Sequence, residues 1–365
     1  MVFLIKVAIM GAGLSGLACA ITLEQNGIIP TIFEKREVVG DRFVNLEIFL
    51  SILTKPVTDV ISFFTENYGI IIHPVSNIKN LHIYSENEKS KIQGNLGFIS
   101  LRGRDSDSLE NQFSRQLKSK IIFNSKHTYE ELLQEYTHVI IATGDAAYTS
   151  KIQVFNESLT VSLRGATIEG DFDKYSVCAW LNNKLAPKGY GYLIPLSEKE
   201  AQIVIGYPDY NGIKNINEDQ LWENFYKEVC TSLEQDLRIT DQFKVKNYII
   251  GLCNTPRIGN TFFVGNCFGS VMPFLGFGQF ASILTGIYAA LDICGKGNYE
   301  QLTHKLRESY KNSLALRRGI ELLDNKKLDL FVSGLEGKLG ERLFNSKYDF
   351  LRIGGAILRP ITKTK

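Results

Sequence analysis

The chain has 365 residues, of which 44% are hydrophobic and 22% charged, and its formal net charge is +2. That length exceeds one ordinary core and predicts about two to three domains, and the composition is that of a soluble globular protein. So small a net charge leaves no electrostatic footprint for nucleic acid. Six cysteines without a C-x-x-C spacing provide no disulfide framework and read as packed thiols of a reduced, cytoplasmic compartment.

The first ten residues are apolar but lack the charged start and small-residue cleavage site of a signal peptide, so they read as a first strand. The strand runs into a G-x-G-x-x-G made by Gly11, Ala12, Gly13, Leu14, Ser15 and Gly16. A helical pattern follows to Asn26, with Gly27 at the C-cap position. Pro30 leads into a second strand, residues 31–33, which ends on Glu34, and Lys35 opens the polar loop after it. Strand, glycine turn, helix, strand and acid in this order form the dinucleotide fingerprint. Gly11 permits the tight turn, Gly13 lets the backbone approach a pyrophosphate, and Gly16 with Ala20 brings the helix onto the sheet. The helix N-terminus offers free N–H groups to phosphate, and Glu34 can accept from a ribose. The same fingerprint serves NAD and FAD, because both carry the ADP half.

A polar loop through Gly40, Asp41 and Arg42 follows, then a helix over residues 55–68. Residues 78–84 and 98–101 read as strands, the second ending at Arg102. Residues 105–117 read as a helix, and residues 121–123 and 139–142 as buried strands, the latter ending at Thr143 and Gly144. From about residue 151 short strands alternate with turn residues, at 158–162, 176–181, 191–195 and 201–207, followed by a helix at 221–237 and a strand at 244–250. This texture predicts an inserted antiparallel sheet. A last strand, residues 261–266, ends at Gly265-Asn266, and Pro273, Gly276 and Gly278 precede a long helix that starts near Gln279. The apolar stretch 271–294 is interrupted by these residues, so it reads as a buried helix opening on a ligand and not as a membrane span. The tail, residues 301–365, carries fourteen Lys/Arg against seven Asp/Glu. It reads first as a solvated helical face and second as a surface for peripheral contact with an anionic membrane, helped by Phe331, Leu339, Phe344, Leu351 and Ile357.

In this order the motifs resemble the FAD-dependent oxidoreductases with the para-hydroxybenzoate hydroxylase architecture, and among them the geranylgeranyl reductase family, over residues 1–296. The resemblance implies FAD as cofactor. It also implies that the residue at Asn266, an acid in the family, binds the ribitol chain, and that Gly276 and Gly278 face the flavin ring. Asn266 retains the capacity to hydrogen-bond a hydroxyl. Arg102 matches an arginine on the flavin side of the cofactor. Tyr190-Gly191-Tyr192-Leu193-Ile194-Pro195 is similar to the family's Tyr-x-Trp-x-Phe-Pro segment, which lines the prenyl pocket, so Tyr190, Tyr192 and Pro195 are the candidate pocket residues. A Cys-Gly-Gly segment of some members is missing here, with Gly40-Asp41-Arg42 near its place. These departures bear on the substrate more than on the fold.

The expected architecture is α/β. A discontinuous Rossmann-like FAD-binding domain takes residues 1–75, 97–150 and 250–296, a β-rich substrate domain takes 76–96 and 151–249, and a helical region takes 297–365. The expected reaction is hydride delivery from reduced flavin to a C=C bond of an apolar, isoprenoid-like substrate, with NAD(P)H or a redox protein as electron donor. That chemistry explains why no nucleophile or metal motif is visible and why the five histidines are dispersed. The alternatives are an NAD(P)H- and oxygen-dependent hydroxylase, an electron-transfer flavoprotein without its own substrate and, last, an NAD dehydrogenase, which leaves the Gly265–Gly278 motif unexplained.

Overall fold

The computed structural model describes residues 4–40, 44–212 and 217–362. In chain order the elements are β1 (Val7–Met10), α1 (Leu14–Gln25), β2 (Thr31–Phe33), β3 (Asn45–Leu50), α2 (Val60–Tyr68), β4 (Ser76–Tyr84), β5 (Lys89–Arg102), α3 (Leu109–Ser114), β6 (Ile121–Ile122), α4 (Tyr129–Glu135), β7 (His138–Ile141) and α5 (Ala146–Thr149). Then come β8 (Phe155–Glu169), β9 (Ser176–Trp180), β10 (Tyr190–Pro195), β11 (Glu200–Pro208), α6 (Glu218–Leu233), β12 (Arg238–Cys253), β13 (Arg257–Ile258), β14 (Thr261–Phe263), α7 (Gln279–Ile293), α8 (Tyr299–Ile320), α9 (Asn325–Ser333), α10 (Lys338–Asn345) and α11 (Phe350–Thr362).

The strands form two sheets. The first has the order β13-β14-β7-β1-β2-β6 and is parallel except for the β13–β14 hairpin. Val7–Met10 is buried along its whole length because helices cover both faces of this sheet, which is why it carries no polar alternation. Helices α1 and α7 pack at close range: a Cβ at Gly286 would fall well inside contact distance of the Ser15 carbonyl. The β6 strand is shorter and wetter than its sequence predicts, because it stands at the sheet edge.

The second sheet has the order β12-β8-β11-β10-β9-β4-β5-β3. Its pairs are antiparallel except for β4 with β9. Its membership corrects the expected division of the chain. Strand β3, placed within 1–75, belongs here, with Leu46 opposite Leu101. Residues 97–102 continue β5 without a break and belong here too. The sequence offers no turn residue between 96 and 98 except Gly97, whose bare Cα lies against the Phe49 carbonyl of the neighbouring strand. That glycine marks a close strand crossing and not a boundary.

The predicted helices shorten to their caps. Asp59 accepts from the Ser62 N–H and starts α2, and Ser108 accepts from Asn111 and starts α3. Of the C-terminal helices, α8 packs on α7 with Tyr299, Leu306 and Tyr310 in the core of the first sheet, while α9 and α10 lie on the second sheet. Leu328, Val332 and Leu335 are buried in one core with Ile78, Leu81, Ile92 and Leu96, and α11 packs back on α8. No helix among the described residues is long and apolar enough to cross a membrane.

Candidate active site

The glycine turn sits at the centre of the first sheet. Gly11 has φ +113°, and a Cβ there would collide with the Ala142 carbonyl at the end of the neighbouring strand β7. Gly13 has ordinary extended backbone, and nothing lies within 4 Å of the place its Cβ would take. It faces a cavity of about 790 Å³, whose wall also includes Ala12, Leu14, Ser15, Glu34 and Lys35. The Glu34 carboxylate accepts from the Ala12 N–H at 2.8 Å and from the Arg36 N–H at 3.0 Å, so it is fixed beside the turn.

Two helices begin on this cavity, and neither has a side-chain cap or an acidic residue in its first turn: α1 behind Gly13 and α7 behind Gly278. Asp59, Ser108, Thr128, Asn217 and Asn298 cap helices elsewhere. The uncapped N–H groups and the positive ends of α1 and α7 therefore remain available to an anion or a polar ring edge in the cavity. Together with the open Gly13, this cradle fits the diphosphate of a dinucleotide such as FAD.

Arg102, Glu47 and Gln279 meet between the two ends of the cavity. The Arg102 guanidinium contacts Glu47 at 2.9 Å and Glu110 at 2.8 Å, and the Gln279 amide donates to Glu47. Burial weakens the arginine's charge, but Glu110 and Glu47 more than offset this and hold its pKa above the ordinary value. Sequence reasoning did not single out Glu47. Its only signal was a charge in the middle of the otherwise apolar run 46–50. Asn266 lines the cavity. Its amide N–H groups donate to the Tyr248 hydroxyl and to the Gly144 carbonyl (3.4 Å), while its oxygen accepts from Ser270 at 3.1 Å. A carboxylate could not make the two donations, which explains the amide here.

Beyond this cluster the wall turns apolar. Tyr190 and Tyr192 stand two apart on β10 and face the cavity together. The Tyr190 hydroxyl donates to the Leu275 carbonyl at 2.6 Å. Burial pushes both phenol pKa values up, with the neighbouring Tyr190 and Glu47 adding to the effect at Tyr192. Leu50, Ile52, Leu81, Ile83, Leu181 and Ile194 continue the wall on the sheet side. Ile320, Leu335, Leu343, Phe344 and Leu351 close it from the tail. Among the described residues, the charged ones of the wall, Glu34, Lys35, Arg36, Glu47, Arg102 and Glu110, belong to the glycine turn or to the Arg102 cluster.

The expected site residues therefore divide. Gly11, Ala12, Gly13, Leu14, Ser15, Glu34, Lys35, Arg102, Thr143, Gly144, Tyr190, Tyr192, Asn266, Gly276, Gly278 and Gln279 share one cavity wall. Gly16 and Gly265 lie behind it. Gly16 packs against the Gly11 carbonyl, and the Gly265 N–H donates to Thr285 at 2.9 Å. Pro273 is buried off the wall. Pro195, expected in the pocket, is buried at the end of β10 and is not among the residues of the wall. Arg42 lies outside the described residues.

Comparison with known proteins agrees with this architecture. Residues 9–45 match the NAD(P)-binding Rossmann-like domain family. No curated protein sequence matches the chain. Among solved structures, a geranylgeranyl bacteriochlorophyll reductase-like protein from Thermoplasma acidophilum superposes with a TM-score of 0.71 at 15% identity, over 97% of this chain and 98% of that one. A flavin-dependent brominase follows at TM-score 0.67 and 13% identity, covering 98% of each chain. A mutant of 2-methyl-3-hydroxypyridine-5-carboxylic acid oxygenase gives 0.64 at 15% identity, over 95% of this chain and 97% of that one. What these proteins share with this chain is the fold, a Rossmann-like nucleotide domain joined to a large β-sheet.

Proposed function

We propose that the protein is a FAD-dependent oxidoreductase that reduces a C=C bond of a long apolar, isoprenoid-like substrate. The supporting observation is the single cavity that runs from the glycine cradle to the apolar sheet face. Bound there, the flavin supplies hydride transfer in its reduced form.

The chain's own residues do the rest. Gly13 and the start of α1 hold the diphosphate, and Glu34 takes the adenosine ribose. Thr143, Gly144, Asn266 and the start of α7 hold the remainder of the cofactor. The aliphatic wall binds the substrate chain and excludes water. Tyr192, kept protonated by burial, is placed to give up the proton that completes the reduction. NAD(P)H or a redox protein supplies the electrons. An aromatic acid, the substrate type that a hydroxylase of this fold would take, needs a charged anchor. Among the described residues the wall beyond Tyr192 carries none, which favours the alkene reading.

The test is the visible spectrum of the purified protein under anaerobic dithionite, followed by addition of a polyprenyl alkene. Flavin bands that bleach, then return without oxygen when the alkene is added, are expected. A colourless protein that takes up no FAD would overturn the reading. Reoxidation that requires oxygen and leaves the alkene intact would replace it with a hydroxylase.

A further inference from the structure

The helices that close the cavity also present an apolar surface to solvent. Leu330 is 75% exposed, Leu339 68%, Ile357 65%, Ile353 50% and Phe331 43%. Single exposed apolar side chains are ordinary; a group of them on three consecutive helices is not. Two of the helices connect this surface to the cavity. Phe331 of α9 lines the cavity and is open to solvent at once. Along α10, Leu339 and Leu343 stand four residues apart on one stripe; Leu343 lines the cavity and Leu339 projects outward. The apolar wall thus runs out of the cavity between the tail helices to the surface.

The charge around it is positive. Residues 324–362, which carry α9–α11, hold seven Lys/Arg and five Asp/Glu, and two of those acids turn to the sheet: Asp329 accepts from Ser85 and Asn87, and Glu336 from the Lys91 N–H. Lys326, Lys327, Lys338 and Arg342 are exposed on α9 and α10 among the apolar residues. Basic side chains interleaved with exposed Leu, Ile and Phe match the interfacial layer of an anionic bilayer: the apolar groups enter the acyl boundary while the cations meet the headgroups.

We propose that the α9–α11 face docks on an anionic lipid membrane and that the cavity mouth at Phe331 opens into it. A water-insoluble substrate then passes from the lipid into the cavity without crossing water. The route for substrate rests on the function proposed above; the docking itself does not, because it needs neither cofactor nor substrate.

The experiment is sedimentation of the full chain with vesicles of phosphatidylcholine alone and of phosphatidylcholine with phosphatidylglycerol at about 3:1, over a range of salt. Two variants are compared: Leu339→Glu/Ile353→Glu/Ile357→Glu and Lys326→Glu/Lys338→Glu/Arg342→Glu. All six sites are exposed, so circular dichroism should remain that of the wild type. Wild-type protein should partition onto the phosphatidylglycerol vesicles about tenfold or more above phosphatidylcholine, decreasing with salt, and both variants should lose that partition. Wild type left in the supernatant with both vesicles overturns the proposal, as does variant binding equal to wild type. A wild-type dimer that Leu339→Glu converts to monomer, with no vesicle binding, overturns it too and assigns the face to a second copy of the chain.

Discussion

The two ends of the cavity offer a ligand opposite kinds of contact. At the glycine end the groups on offer are backbone N–H donors, and no side chain intrudes at Gly13. At the tail end the contact is side-chain volume, spread over strands β3, β4 and β10 and four helices. The first arrangement concentrates its constraints in a few φ/ψ angles; the second distributes them over many weak contacts. One substitution should therefore disable the first end, while the second should yield by degrees.

Gly11→Ala is expected to have the largest effect. It places a Cβ against the Ala142 carbonyl in a left-handed backbone conformation at the middle of the first sheet. A loss of more than about 4 kcal/mol is expected, read as reduced soluble yield and a lower denaturant midpoint. Gly13→Ala sharpens the contrast. It meets open space at ordinary φ, so stability should stay within about 0.5 kcal/mol while FAD retention collapses. If both variants lose stability alike, the distinction between a fold glycine and a ligand glycine fails.

Next is Arg102→Met, at the boundary between the two ends. Glu110 is then left buried without its cation, at a cost of about 3–5 kcal/mol in denaturant unfolding. Adding Glu110→Gln should restore much of that loss. A single variant as stable as wild type would show that the cluster contributes nothing to the fold.

Leu181→Trp tests the apolar end. Leu181 lines the cavity, so the larger ring can enter existing space with a stability change under about 1.5 kcal/mol. Bound flavin should be unchanged and turnover on a long-chain alkene should fall at least about tenfold, through KM more than kcat. Equal loss of flavin and turnover would mean that the two ends are not separable.

The glycine end was legible in the sequence because its constraints are local. Gly11, Gly13, Glu34 and the strands around them lie within 34 residues: Gly11 is required by its backbone conformation, Gly13 leaves the cavity open, and Glu34 bonds the Ala12 N–H of the same turn. Gly144, Gly276 and Gly278 were legible for the same reason. Glu47 was not, because it acts through Arg102 and Gln279, which are 55 and 232 residues away along the chain. The tail was half legible. The charge count and the apolar residues Phe331, Phe344 and Leu351 were visible, but helical periodicity states that a face is apolar and not what covers it. Its packing on β4 and β5 is a long-range fact. Strand β3 was missed because a six-residue run with one charge carries little periodic signal.

The smallest effect is expected at Glu308, and it tests whether the tail is a fixed wall or a loose flap. Glu308 on α8 accepts from Arg359 on α11 at 2.8 Å and from Lys311 at 2.8 Å. The hydrogen bond from Lys311, then that from Arg359, lowers its carboxyl from 4.5 to about 2. The folded value lies below the unfolded one, so the contact stabilises fully above about pH 4.5 and is lost as pH falls through about 2. The carboxylate is partly open to solvent, which limits its contribution to under about 1 kcal/mol. Glu308→Gln should therefore speed amide exchange in α11, relative to wild type, at neutral pH, and the difference should close as pH falls towards 2. A difference that is constant with pH would assign the effect to packing. No difference at any pH would mean that Leu358 against Gly319 and Gly355 against Asn312 hold α11 without the ion pair, and that the cavity wall owes its position to apolar contact alone.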